Sequence, residues 1–211
     1  SIRILLKNKL TMKATILIIA LLITTQLFGS EVKKVDSKMT FEEATKGTKA
    51  PKEILDSIVL LDVEYYSIDK KVHKGQILVN KAVVEDVKFF FNSLLEEKFP
   101  IKQVIPIVKY GWDDEASMSA NNSSAFNYRF IAGTTRLSNH SYGRALDINP
   151  FFNPVIYKDP PSISPKGAKY IPGNPGVFTA ESKIVVEMKK RGWRWGGDWT
   201  SLKDNHHFDK P

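Results

Sequence analysis

An α+β domain, an antiparallel β-sheet flanked by helices, is the fold class this sequence predicts, and three observations predict it. Short runs rich in β-branched and aromatic residues recur, at 57–66, 76–79 and 144–149. Two other stretches place apolar residues at helical spacing, one through Val84, Val87, Phe91, Leu94 and Leu95, the other through Ile184, Val185 and Met188. The two kinds do not alternate in the strand–helix–strand rhythm of a parallel sheet. With 211 residues, 42% of them hydrophobic, the chain suits a single domain with a sizeable core.

The elements follow in order. From Met12 the chain reads MKATILIIALLITTQLFGSEVKK, a basic start, an apolar run and then small residues, which is the layout of a secretory signal peptide. The run is interrupted by Thr24, Thr25 and Gln26 and falls short of the roughly 20 apolar residues a membrane span needs. Residues 1–30 are therefore read as an upstream stretch and a signal peptide, leaving no stable membrane span after cleavage. Cleavage is expected near Ser30, although Phe28 fits poorly at that cut. The mature protein is expected in the periplasm or outside the cell. Residues 31–53, charged and weakly patterned, read as a linker, and 54–211 as the domain.

Within the domain, 57–66 predicts a strand with a break in register, followed by a turn through His73, Lys74 and Gly75 that leaves His73 on the surface. Asn80 can cap the first helix and Pro100 stop it. Residues 101–110 suggest a strand, and Pro106 places it at an edge or bulge. Residues 111–135 are polar and read as loop. Seven of the eleven prolines fall in 150–175, which predicts a stiff extended loop. Thr179 is expected to cap a second helix ended by Gly192, with WRW and HHFD as closing strands.

Composition excludes some chemistry. The chain has no cysteine, so disulfides, thiolate metal sites and cysteine nucleophiles are ruled out. Residues 1–30 carry four bases and no acids, so their removal lowers the net charge from +8 to +4. With no basic stripe, that is a modest excess for a nucleic-acid binder, and no nucleic-acid partner is expected.

Chemistry concentrates in two places. SNHSYGRALDIN sets His140 seven residues before Asp147, an odd offset that would put them on opposite sides of one straight strand. A loop holding His140, a turn at Gly143 and a strand presenting Asp147 would let them converge. A carboxylate between Leu146 and Ile148 needs a partner if buried, either a cation or an ion pair with His140 or Arg144. DNHHFDK supplies the second place, with Asp204 three residues before His207. Two imidazoles and a carboxylate, with one position left for water, form the ligand set of a catalytic zinc site, and a nearby non-ligating carboxylate can act as general base. His206, alternating with His207 on a strand, would point away from the metal. Trp193, Trp195 and Trp199 are expected in the core and on the cleft floor.

Two motifs, S-x-H-x-x-G-x-A-x-D at 138–147 and D-x-x-H-F at 204–208, together resemble the zinc D-alanyl-D-alanine carboxypeptidases and related peptidoglycan peptidases of the M15 (VanY-like) group. The likeness runs through roughly 57–209. It implies a single domain of the Hedgehog/DD-peptidase-like fold. It also implies Zn2+ held by His140, Asp147 and His207, with Asp204 as the base where many relatives carry glutamate. Arg129 of NYR would stand near the scissile carbonyl, with Arg136 close enough in sequence to be its rival. Ser138 is expected to orient the loop, since no nucleophile elbow accompanies it. Peptidoglycan stem peptides would be the partner of a monomer. The alternatives are an L-alanyl-D-glutamate endopeptidase of the same family, or a zinc-stabilised binding module of the same fold without catalysis.

Overall fold

The computed structural model describes residues 33–211, so the expected signal peptide lies outside the described residues. No described helix is long and apolar enough to cross a membrane. The described chain is a mixed α/β unit. In place of one antiparallel sheet it has three three-stranded sheets and a two-stranded one. Prolines and glycines punctuate the chain so closely beyond the first hairpin that strands there span two to four residues.

The charged segment expected as a linker is folded. Its strand β1 (Lys34–Val35) and helices α1 (Phe41–Thr45) and α2 (Lys52–Leu55) lie against the hairpin formed by β2 (Ile58–Tyr66) and β3 (Val72–Asn80). Thr40 caps α1 in a capping box with Glu43, which satisfies amide groups that a helix start otherwise leaves open. The reason lies in β2. Its register with β3 is continuous from Ile58↔Asn80 to Tyr66↔Val72, without the expected break. Apolar residues occur on both faces because both are covered. Ile58, Leu60 and Leu78 meet Phe41, Ile54 and Leu55, while Val63, Tyr65, Ile77 and Val79 belong to the main core.

His73 is likewise not at a surface turn. It lies within β3, is 2% exposed, and sits between the carboxylates of Asp36 and Asp69, at 2.6 and 3.0 Å. Pairing of β1 beside β3 places Asp36 over it, and the Tyr65 hydroxyl donates to the same carboxylate.

Asn80 does cap the next segment, accepting from the amide of Ala82. A 3₁₀ turn leads into α3 (Val84–Glu96), whose Val87, Phe90, Phe91 and Leu94 are buried. Pro106 restricts the following strand to β4 (Gln103–Val104) and starts a 3₁₀ turn. The polar stretch expected as loop contains α4 (Asp114–Ser119), capped by Asp113, and β5 (Asn122–Ser123). Next come β6 (Ala145–Asp147) and a hairpin of β7 (Val155–Lys158) and β8 (Pro161–Ser164), again where an extended loop was expected. The two prolines at its tip fit because one lies in the turn and the other opens an edge strand. The second helix, α5 (Lys183–Lys190), starts later than Thr179, because Ser182 Oγ accepts from the Thr179 amide and keeps that stretch a turn. The chain closes with β9 (Arg194–Trp195), β10 (Leu202–Asp204) and β11 (His207–Asp209).

The core positions the last strands. Phe208 is fully buried, with its ring 5.3 Å from Phe90 and 5.2 Å from Phe178. Strand alternation then turns its neighbours His207 and Asp209 to the opposite face.

Candidate metal centre and its surroundings

Strand register assembles the centre. In the antiparallel pair β6–β11, His207 stands directly opposite Asp147 and Phe208 opposite Leu146. Directly opposed residues share a face with their Cβ atoms about 5 Å apart. Leu146 and Phe208 enter the core, so Asp147 and His207 must face away from it together.

His140 arrives from a 3₁₀ turn, Asn139–Tyr142, capped by Ser138, whose hydroxyl accepts from the His140 amide. Gly143 ends the turn at φ +64°, where a Cβ would stand 2.6 Å from Ile58 Cδ1 and 2.7 Å from the Asn80 amide. Only glycine allows both that conformation and that approach. The expected arrangement of loop, turn and strand is the one that forms.

The ligand atoms of His140, Asp147 and His207 all lie within 4.8 Å of one another, and all three residues are buried. His140 donates its Nδ1 proton to the carbonyl of Ala125 at 2.5 Å, which makes Nε2 the ring nitrogen that would offer a lone pair to a metal. That atom lies 3.2 Å from His207 Nδ1 and 3.2 Å from Asp147 Oδ2, while His207 Nδ1 is 3.0 Å from Asp147 Oδ1. Three ligands held tetrahedrally on a zinc ion at 2.0–2.1 Å would stand about 3.3 Å apart. The donor set and its spacing fit a zinc ion with a fourth position open.

Electrostatics point the same way. Burial opposes ionisation of Asp147, yet the charges of His140 and His206, with hydrogen bonds from His140 and His207, hold its carboxyl well below the usual range. Burial pushes the His207 imidazole down, but Asp147 and Asp209 outweigh it and raise it to about 10. Protons thus supply the positive charge that these carboxylates demand, and a metal ion would replace them.

Asp204 reaches the centre from β10. The turn before it packs so closely that a Cβ on Gly196 would meet the Asp204 carbonyl at 2.5 Å. Its Oδ1 is buried and receives no aligned hydrogen bond, although His206 Nε2 lies 3.0 Å away. A buried carboxylate oxygen of this kind keeps the capacity to accept from a proton donor such as water. Arg129 does not join the three ligands. Its guanidinium pairs with Asp114, and its backbone is tied to the His140 turn through Ser141 and Ser138. Its rival Arg136 is exposed at the base of the 130–137 loop, where its carbonyl accepts from the Ile131 amide. Arg144, the alternative ion-pair partner for Asp147, instead donates to the Pro211 carbonyl at 2.7 Å.

Two neighbours, His206 and Asp209, were not placed here by the sequence. His206, expected to point away, is 2% exposed and turned inward, because it occupies the tight turn before β11 and not the strand itself. Asp209 stands behind His207, 3.7 Å from its Nε2, and is gripped by Arg194 through two hydrogen bonds and by Asn139 through one. Strand alternation two residues beyond His207 was the available signal for Asp209. Trp199 packs its ring 5.2 Å from His207, while Trp193 and Trp195 are in the core as expected.

No solved structure matches the chain. Residues 132–210 match the family described as D-alanyl-D-alanine carboxypeptidase. That range contains His140, Asp147, Asp204 and His207 and begins just after Arg129. The segment holding the convergent side chains is thus the part of the chain that is similar to that family.

Proposed function

We propose that the protein is an exported zinc metallopeptidase of the Hedgehog/DD-peptidase-like fold. Its proposed reaction is hydrolysis of a peptide bond in peptidoglycan stem peptides, with removal of a terminal D-alanine as the leading reading. The observation that carries this is the convergence of His140 Nε2, His207 Nδ1 and the Asp147 carboxylate beside a buried oxygen of Asp204 that accepts no aligned hydrogen bond. A zinc ion there would supply a Lewis acid and acidify water at neutral pH.

The chain's own groups supply the rest. Asp204 Oδ1 takes the proton of the attacking water and passes it to the leaving amine. Ala125 fixes the His140 tautomer, and Asp209 the setting of His207. Arg129, whose backbone is tied to the His140 turn, is assigned the charge that develops on the carbonyl oxygen, a role that requires its guanidinium to leave Asp114.

One observation favours a second reading, cleavage of an internal bond such as L-alanyl-D-glutamate. A carboxypeptidase holds a cation for the substrate's free carboxylate, and here Arg129 already pairs with Asp114 while Arg144 is engaged by Pro211. Mass spectrometry of defined muropeptides after incubation with the zinc-loaded protein separates the readings. Loss of one alanine supports the first, and cleavage between the first two stem residues supports the second. Tight zinc binding with every muropeptide intact would leave a binding module instead.

A further inference from the structure

The turn Asn205–His206 is held from several sides. Asn205 donates its side-chain amide to the Pro154 carbonyl at 2.9 Å, and its own carbonyl accepts from the Trp195 indole at 3.0 Å. The His206 carbonyl accepts from the amide of Ile148, one residue past Asp147. The imidazole is therefore delivered to a fixed place. There its polar neighbours are oxygens: the Asn153 carbonyl at 2.7 Å from Nδ1, and Asp204 Oδ1 and Asp147 Oδ1 at 3.0 and 3.9 Å from Nε2.

Asn153 is itself immobilised. It is fully buried, donates to the Gly176 carbonyl at 2.8 Å and accepts from the Phe178 amide at 2.7 Å. The anchor behind the imidazole is thus part of the packed loop that follows β6. The two carboxylates in front of it carry like charge and would repel if nothing stood between them. Asp204, on the short strand β10, is the one with freedom to turn away, since Asp147 is hydrogen-bonded to His207.

We propose that His206 is a positioning residue, whose buried ring between Asp204 and Asp147 fixes where Asp204 Oδ1 stands relative to the metal ligands. It acts through Asp204 and touches neither ligand ion nor substrate. The role rests on the reading of Asp204 as proton acceptor. The contact itself does not depend on that reading, which makes the two separable.

The test combines His206→Ala, His206→Gln, Asp204→Asn and the His206→Ala/Asp204→Asn double variant. In the zinc-loaded protein, His206→Ala should lower kcat by about 10- to 100-fold while KM and zinc content hold. His206→Gln, whose amide can donate from a similar place, should recover part of the loss. In the metal-free protein, urea unfolding should show coupling. The fall in midpoint caused by His206→Ala should shrink when Asp204 is already asparagine. Unchanged turnover in His206→Ala, zinc falling in step with kcat, or additive midpoints would each overturn the proposal. If the wild type cleaves no muropeptide, the functional reading has failed by itself. The metal-free midpoints then decide: coupling upholds the contact and additivity overturns it.

Discussion

Replacing Asp209 with asparagine should weaken metal binding although Asp209 is not one of the convergent ligands. The carboxylate is 3% exposed and its two oxygens are fully used. Oδ1 accepts from Arg194 Nε at 2.8 Å, and Oδ2 accepts from Arg194 Nη2 at 2.5 Å and Asn139 Nδ2 at 2.6 Å. The same Oδ2 lies 3.7 Å from His207 Nε2, so its charge orients the ring and makes Nδ1 a better donor. An asparagine keeps the shape, removes the charge and turns an N–H2 towards groups that are themselves donors. Loss of such an outer partner costs about 10- to 100-fold in metal affinity, or about 1.4–2.7 kcal/mol. The metal-free fold should lose about 1.5–3 kcal/mol, the range for a hydrogen bond to a charged group. Competition with a zinc-chelating dye, alongside urea unfolding in chelator, reads both quantities. Zinc affinity equal to that of the wild type would refute the claim that Asp209 sets His207.

Other outcomes follow from the same contacts. His140→Ala should lose most of the metal, whereas His73→Ala should keep it and melt earlier, since it leaves Asp36 and Asp69 without their shared partner. Metal affinity should rise with pH, because His207 is held protonated up to about 10 and zinc must displace that proton. In the metal-free protein the sign reverses. A folded-state value raised above the ordinary 6.5 gives stability that is complete below 6.5 and lost as pH climbs through about 10. Calorimetry with and without zinc across that range checks both trends. Gly143→Ala should destabilise by about 1–3 kcal/mol and also lower zinc affinity, as its Cβ would collide with Ile58 and displace the His140 turn.

The sequence made the convergence of His140, Asp147 and His207 legible because residue type and spacing carry that information. A loop, a glycine turn and a short strand were enough to bring His140 to Asp147, and the two motifs together pointed to His207 and Asp204 as their neighbours. His206 was misread because a one-residue difference between turn and strand reverses the direction of a side chain. The same limit hid the folded state of 34–55. Its charges signal solvent exposure, and the reason it folds lies elsewhere, in the second apolar face of β2 and β3. The hairpin β7–β8 was missed because proline density outweighs strand propensity unless the prolines fall at the turn and the edge, which only register reveals. His73 carried no local sign of burial, since its partner Asp36 reaches it only after β1 pairs with β3.

The most direct test of the account is a paired measurement on the wild type and Asp204→Asn, zinc per chain and turnover of a muropeptide substrate. The side chain keeps its size and loses only its ability to take a proton. A positioned general base contributes about 10²–10⁴-fold. The account predicts equal zinc in the two proteins and a rate reduced by that factor in the variant. Zinc lost from Asp204→Asn would make Asp204 a ligand, and equal turnover with equal zinc would remove it from proton transfer; either result contradicts the account.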